Sequence, residues 1–131
     1  MNSAIKIILV EDDQLLREIC VKKLIVAGFN VATVIDGGEA IKKIKEEKPN
    51  LILLDIMLPA LNGFEILKKL REDKDPNTAK TLVIVLSNLG QDSDMEKARE
   101  LGANGYLIKA QFTTDEIVSE VKKVLKENGF I

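Results

Sequence analysis

Leu51-Ile52-Leu53-Leu54-Asp55, followed by Ile56-Met57-Leu58-Pro59 and closed by Asn62-Gly63, is the stretch that decides the fold. Four consecutive apolar residues without alternation describe a strand buried on both faces, and the run is too short for an ordinary helix. Pro49-Asn50 marks where it begins. Asp55 stands at its carboxyl end, which in an open parallel sheet is the end where ligands bind. Alone, an acid after a strand is an ordinary solvated or capping residue; its meaning depends on what else reaches the same place.

Working outward, the same kind of segment recurs. Ile5 to Val10 is a second nearly continuous apolar run and ends in Glu11-Asp12-Asp13. Leu15, Leu16, Ile19, Cys20 and Leu24 follow at helical spacing until Gly28. Asn30 to Val34 is a short β-branched strand, Asp36-Gly37-Gly38 a turn and helix start, and Ala40, Ile41 and Ile44 the inner face of the next helix. After Asp55, Phe64, Leu67 and Leu70 predict a short helix that Lys74-Asp75-Pro76-Asn77 breaks. Thr81 to Leu86 is the fourth strand, ending at Ser87-Asn88, and Met95, Ala98 and Leu101 share a face of the helix after it. Gly105 to Ile108 is the fifth strand, ending at Lys109. Thr113 and Glu116 form a capping pair ahead of the amphipathic helix of Ile117, Val118, Val121, Val124 and Leu125. Strand and helix alternate five times. That order implies α/β architecture: a parallel sheet with helices on both faces, because parallel strands need right-handed crossovers.

At 131 residues the chain fits one domain over 1–131, with no linker or repeat pointing to an effector domain within it. A net charge of −2, with lysines spread among glutamates, gives no basis for direct nucleic-acid binding. The lone Cys20 cannot close an internal disulfide, and no run is long and apolar enough for a membrane span or signal core. A cytoplasmic location is the expectation. There is no histidine, which removes imidazole bases and imidazole metal ligands from consideration.

The strand ends then gain meaning together. The first delivers Asp12 and Asp13, the third Asp55, the fourth Ser87 and the fifth Lys109, all on one rim. Asp12 or Asp13 could instead cap the following helix, Ser87 could serve a turn, and Lys109 could be a surface charge. As a set they describe a site. At about 4 Å and an effective dielectric near 20, each like-charge carboxylate pair costs on the order of 4 kcal/mol. Such a cluster takes up protons or recruits a cation. Oxygen ligands suit Mg2+, which keeps waters that phosphate oxygens can replace, whereas Zn2+ would want histidines and cysteines, and the chain has no histidine and a lone cysteine. A metal, an ionised carboxylate, a hydroxyl and an ammonium group are the parts of phosphoryl transfer. In that chemistry Asp55 attacks phosphorus while Lys109 and Ser87 hold phosphoryl oxygens.

With the acidic pair Asp12-Asp13, Asp55 in Leu-Leu-Asp-Ile-Met-Leu-Pro, the Asn62-Gly63 turn, Ser87, Tyr106 and Lys109 in place, the chain resembles a receiver domain of the bacterial two-component response regulators, close in size to the chemotaxis-type single-domain members. The resemblance covers essentially the whole chain. It implies a doubly wound, flavodoxin-like sheet of strand order 2-1-3-4-5. It implies phosphorylation of Asp55 by a phosphohistidine on a sensor kinase or phosphotransfer protein. Mg2+ would be bound directly by Asp13, Asp55 and the Met57 main-chain carbonyl, with Asp12 acting through water. The domain would assist its own phosphorylation and dephosphorylation without being an enzyme in the ordinary sense. Tyr106 would be the switch aromatic that follows Ser87, changing the face made by the fourth helix, fifth strand and last helix for a downstream protein or a second copy.

Three positions depart from the family pattern: Ala110 replaces the usual proline after Lys109, Asn88 is larger than the usual residue, and Ser87 replaces the commoner threonine. A non-proline cis bond costs roughly 2.5–4 kcal/mol, so Ala110 favours a trans loop and a less firmly aimed Lys109. Asn88 could shield the phosphoryl group or bond to it. Other functions fit less well. A flavin carrier would want a Ser/Thr/Gly-rich loop where Glu11-Asp12-Asp13 stands, and an aspartate-nucleophile phosphatase would want an acid at Met57. A phosphate shuttle or sink, and a receiver-like interaction module that is never phosphorylated, stay open as alternative outputs.

Overall fold

The computed structural model describes residues 5–58, 61–87, 92–109 and 113–131. Pro59, Asn88 and Ala110, and with the last the Lys109–Ala110 bond, lie outside the described residues. The elements in chain order are β1 (Lys6–Val10), α1 (Gln14–Val26), β2 (Asn30–Val34), α2 (Gly37–Glu47), β3 (Leu51–Asp55), α3 (Gly63–Arg71), α4 (Pro76–Ala79), β4 (Leu82–Ser87), α5 (Asp92–Glu100), β5 (Gly105–Ile108) and α6 (Thr114–Glu127). The five strands form one sheet in the order β2-β1-β3-β4-β5, with every pairing parallel. This is the doubly wound arrangement expected from the sequence.

The sheet divides the core in two because successive side chains leave a strand on opposite faces. Ile7, Leu9, Leu51, Leu53, Ile84 and Leu86 pack with Cys20 and Leu24 of α1 and with Ile117, Val121, Val124 and Leu125 of α6. Ile8, Val10, Ile52, Leu54, Val83 and Val85 pack on the other side with α2, α3 and Ala98 of α5. All five residues of β3 are buried, so the strand that ends in Asp55 is sandwiched between helix layers. A site at its tip is thereby held on a rigid support.

Three local expectations change. In α1, Leu15 is 68% exposed and Ile19 38%, while the buried stripe is Cys20 and Leu24. The four-residue step from Leu16 through Cys20 to Leu24 defines the inner face, and Leu15 and Ile19 lie about 100° around the helix from it. In α3, Ile66 is buried beside Leu67 and Leu70, whereas Phe64 is only half-buried and carries Lys97 Nζ 4.6 Å above its ring. The segment read only as a break forms α4, with Pro76 at its start and Asp75 as cap, its side chain accepting from the Asn77 amide at 2.9 Å. The output face thus becomes α5-β5-α6. The Thr113–Glu116 capping pair forms as expected, with the Glu116 amide donating to Thr113 Oγ1 at 3.3 Å.

Candidate functional site

Strand register brings the site together before any side chain is considered. Val10 pairs with Leu54, so Glu11 and Asp55 are the next positions along adjacent strands. Asp55 pairs with Leu86 and Ser87 with Ile108, which puts Ser87 and then Lys109 one step further on the same rim. The loop after β3 is shaped by Asn62 and Gly63. The Asn62 side chain accepts from the Glu65 amide at 3.0 Å and caps α3. Gly63 sits so close to the strand that a Cβ there would lie 2.6 Å from the Asp55 carbonyl oxygen.

Asp55 is buried and both of its carboxylate oxygens are engaged. Oδ2 lies 2.9 Å from Lys109 Nζ, and Oδ1 accepts the Met57 amide at 3.1 Å. Lys109 Nζ also contacts Glu11 Oε1 at 2.6 Å. One ammonium group thus bridges two carboxylates. Burial opposes its charge, but the two acids outweigh that effect and hold the Lys109 pKa above the ordinary lysine value.

The sequence reading paired Asp12 with Asp13; the structure pairs Glu11 with Asp12. Glu11, Asp12 and Asp55 each turn a carboxylate oxygen into a cluster whose members lie within 4.8 Å of one another. Asp13 stands outside it. It is exposed and caps α1, its Oδ1 accepting from the Leu16 amide at 3.0 Å. The physical reason is local: an N-cap must directly precede the first helical residue, here Gln14, so the last acid of the run belongs to the helix and the first two to the strand end. The preference of an acid for the cap was legible in the sequence, but which of the three acids would take it depends on where α1 begins.

Burial, with the neighbouring Asp55 charge adding and Lys109 opposing, pushes the Glu11 carboxyl up to about 7. Three acids against one lysine leave the cluster short of positive charge, and every donor is oxygen. This is the donor chemistry of Mg2+ rather than of a softer metal, and the residues present fit it.

Ser87 is fully buried at the end of β4, and Tyr106 is half-buried on β5. Burial raises the Tyr106 phenol above its ordinary pKa, opposed by a hydrogen bond with Ser87, with Asp94 of α5 adding to the rise. Met57 is 62% exposed and meets Asp55 through its main chain. Of the residues singled out in the sequence, Asp12, Asp55, Met57 and Lys109 therefore gather at one point, Ser87 and Tyr106 form a linked pair on the neighbouring strands, and Asp13 is apart.

Residues 7–122 match the family model described as response regulator receiver domain. The alkaline phosphatase synthesis transcriptional regulatory protein PhoP of Bacillus subtilis is 36% identical over 123 residues, covering 94% of this chain and 49% of that protein. The probable transcriptional regulator ycf27 of Porphyridium aerugineum is 34% identical over 92% of this chain and 48% of its own length. The chain thus spans about half the length of these curated relatives. Among solved structures, the chemotaxis response regulator CheY4 of Vibrio cholerae superposes with a TM-score of 0.85 at 26% identity, covering 94% of this chain and all of that one. Among the described residues no helix is long and apolar enough to cross a membrane. By family match, relatives and fold alike, this chain belongs to the response regulator receiver domains of two-component phosphorelay signalling.

Proposed function

We propose that Asp55 accepts a phosphoryl group from a phosphohistidine on a sensor kinase or phosphotransfer protein. The observation that supports this most directly is the Asp55 carboxylate itself, buried at a strand tip, 2.9 Å from Lys109 Nζ and within one acidic cluster with Glu11 and Asp12. An Asp55 oxygen forms the new bond to phosphorus, the phosphorus–nitrogen bond to the donor imidazole breaks, and the imidazole takes up a proton from solvent. A carboxylate nucleophile requires no general base, in keeping with a chain without histidine. Glu11, Asp12, Asp55 and the Met57 main-chain carbonyl would hold Mg2+, which supplies charge neutralisation for the phosphoryl oxygens. Lys109 moves from carboxylate to phosphoryl oxygen, and the Ser87 hydroxyl donates to another. The same groups, with water as acceptor, assist loss of the phosphoryl group.

Drawing Ser87 towards the phosphoryl group breaks its bond with Tyr106 and frees the ring to change place. This alters the α5-β5-α6 face for a downstream protein or a second copy of the chain. A phosphoryl group adds about −1.5 to −2 charge, enough to bias two packings of adjacent loops. PhoP is named as a transcriptional regulatory protein, and the cytoplasm is the compartment we propose for this chain.

Incubation with acetyl phosphate and Mg2+ followed by intact mass tests the acceptor. A phosphate-sized gain that disappears in Asp55→Asn and with chelator is expected; the same gain in Asp55→Asn excludes Asp55. Amide shifts on adding beryllofluoride test the switch: they are expected around Ser87 and Tyr106, and their absence there removes the proposed output route.

A further inference from the structure

Among the described residues, Arg17 takes up two main-chain carbonyls of the acidic run with its side chain and the third through the ordinary helix bond of its amide. Its Nη1 donates to the Glu11 carbonyl oxygen at 3.1 Å and to that of Asp12 at 3.3 Å, and its own amide donates to the Asp13 carbonyl at 2.9 Å. The rest of the turn is pinned in the complementary direction. The Glu11 amide donates to the Val34 carbonyl at 3.0 Å and the Asp13 amide to Glu11 Oε2 at 3.1 Å. With the carbonyls turned towards Arg17, the groups left to converge on Asp55 are the carboxylates of Glu11 and Asp12.

The placement of this arginine is locally unfavourable, which argues against a generic role. Arg17 lies near the start of α1, where the helix dipole is positive and a cation is disfavoured, and the first turn contains no acid. Among the described residues it forms no salt bridge with a carboxylate, although three acids lie four to six residues before it. Its charge is directed at backbone carbonyls instead, Nη1 alone reaching two of them from a planar group that is more rigidly presented than an ammonium on a flexible stem. Groups that orient metal ligands without touching the metal set affinity by limiting the ligands' freedom.

We propose that Arg17 is a positioning residue for the divalent-cation site, bracing the Glu11–Asp12 turn so that its two carboxylates face Asp55. This rests on the phosphorelay reading above and names the residue that preorganises its cation site. A competing effect has the opposite sign. If Arg17 acted only as a nearby positive charge, removing it would tighten Mg2+ binding through loss of repulsion. Arg17 is only half-buried, and solvent screening makes that charge effect the smaller one.

The experiment is a Mg2+ titration followed by backbone amide shifts in wild type, Arg17→Ala and Arg17→Lys, with thermal unfolding in chelator as the folding control. Arg17→Ala is expected to weaken Mg2+ binding about tenfold, with Arg17→Lys falling between it and wild type. Metal-free protein supplies a second readout: amide exchange at Asp13 is expected to quicken in both variants. Mg2+ binding by Arg17→Ala as tight as wild type, or tighter, overturns the proposal. Should Arg17→Ala fail to fold, Arg17→Lys decides by the same criterion, since it keeps the charge and most of the stem. A wild type that takes up neither Mg2+ nor phosphate overturns the phosphorelay reading and this inference with it. A wild type that takes up both, beside an unaffected Arg17→Ala, overturns the inference alone.

Discussion

Lys109 Nζ lies 2.9 Å from Asp55 Oδ2, so the proposed phosphoacceptor is held by the group that would later hold its phosphate. The same ammonium group touches Glu11 at 2.6 Å, and breaking either contact leaves a buried carboxylate without its cation. Replacing Lys109 with Met is expected to slow phosphate uptake from acetyl phosphate by about a hundredfold, the usual loss when one donor to a developing oxyanion is removed. Intact-mass time courses at saturating Mg2+ measure it. A rate within threefold of wild type would show that Lys109 does not act on the phosphoryl group.

The pH dependence of the metal-free protein follows from Glu11. Its carboxyl is raised from 4.5 to about 7 by burial first, with Asp55 adding and Lys109 opposing. Between those two values the folded chain keeps a proton that the unfolded chain has released. The unfolded state therefore binds fewer protons there, and stability falls as pH rises through this window, levelling above it. Asp73, held below the usual carboxylate range by its hydrogen bond with Lys45, titrates beneath the window. In chelator, Tm is expected to drop from pH 5 to pH 8, and Glu11→Gln to flatten that drop. A rising Tm in the unaltered chain over this range would contradict the assignment.

Gly63 tests the fit of the loop against the strand. A Cβ there would stand 2.6 Å from the Asp55 carbonyl oxygen and 2.7 Å from Ile56 Cα, both backbone atoms that cannot swing aside. Gly63→Ala is expected to cost about 1–3 kcal/mol by overpacking and to displace Asp55 from Lys109. Chemical denaturation reads the first effect and the phosphate-uptake rate the second. Unchanged values for both would mean that the close approach relaxes freely.

Arg71 should matter to stability far more than to chemistry. Its guanidinium donates to the carbonyls of Gly102 at 2.7 and 3.0 Å, Ala79 at 3.0 Å and Thr81 at 2.7 Å, and to Asn104 Oδ1 at 3.1 Å. These bonds fasten the end of α3 to the segments entering β4 and leaving α5. Removing the side chain leaves several part-buried carbonyls unpaired, at roughly 1–3 kcal/mol each. Arg71→Ala is expected to lose about 3 kcal/mol or more in urea unfolding, while the folded fraction still takes up phosphate on Asp55. A loss under 1 kcal/mol would show that water replaces the guanidinium.

Much of this protein follows from its sequence alone. Unbroken apolar runs such as Leu51–Leu54 identify strands buried on both faces, and their alternation with amphipathic helices leaves a parallel sheet as the outcome. Strand polarity then puts Asp55, Ser87 and Lys109 on one rim, whatever the details of packing. Local pattern could not apportion Glu11, Asp12 and Asp13, because the end of a strand and the cap of a helix compete for the same three residues. The structure decided it: Asp13 turns back to the Leu16 amide, while Glu11 continues the line of β1 to meet Lys109. Nor could sequence show Arg17 and Arg71 gathering backbone carbonyls, for a long cationic side chain reads the same whether it reaches water or the main chain. Periodicity settles which face a residue occupies, but a side chain's partners are set by what other segments bring within reach, and that is a property of the folded chain.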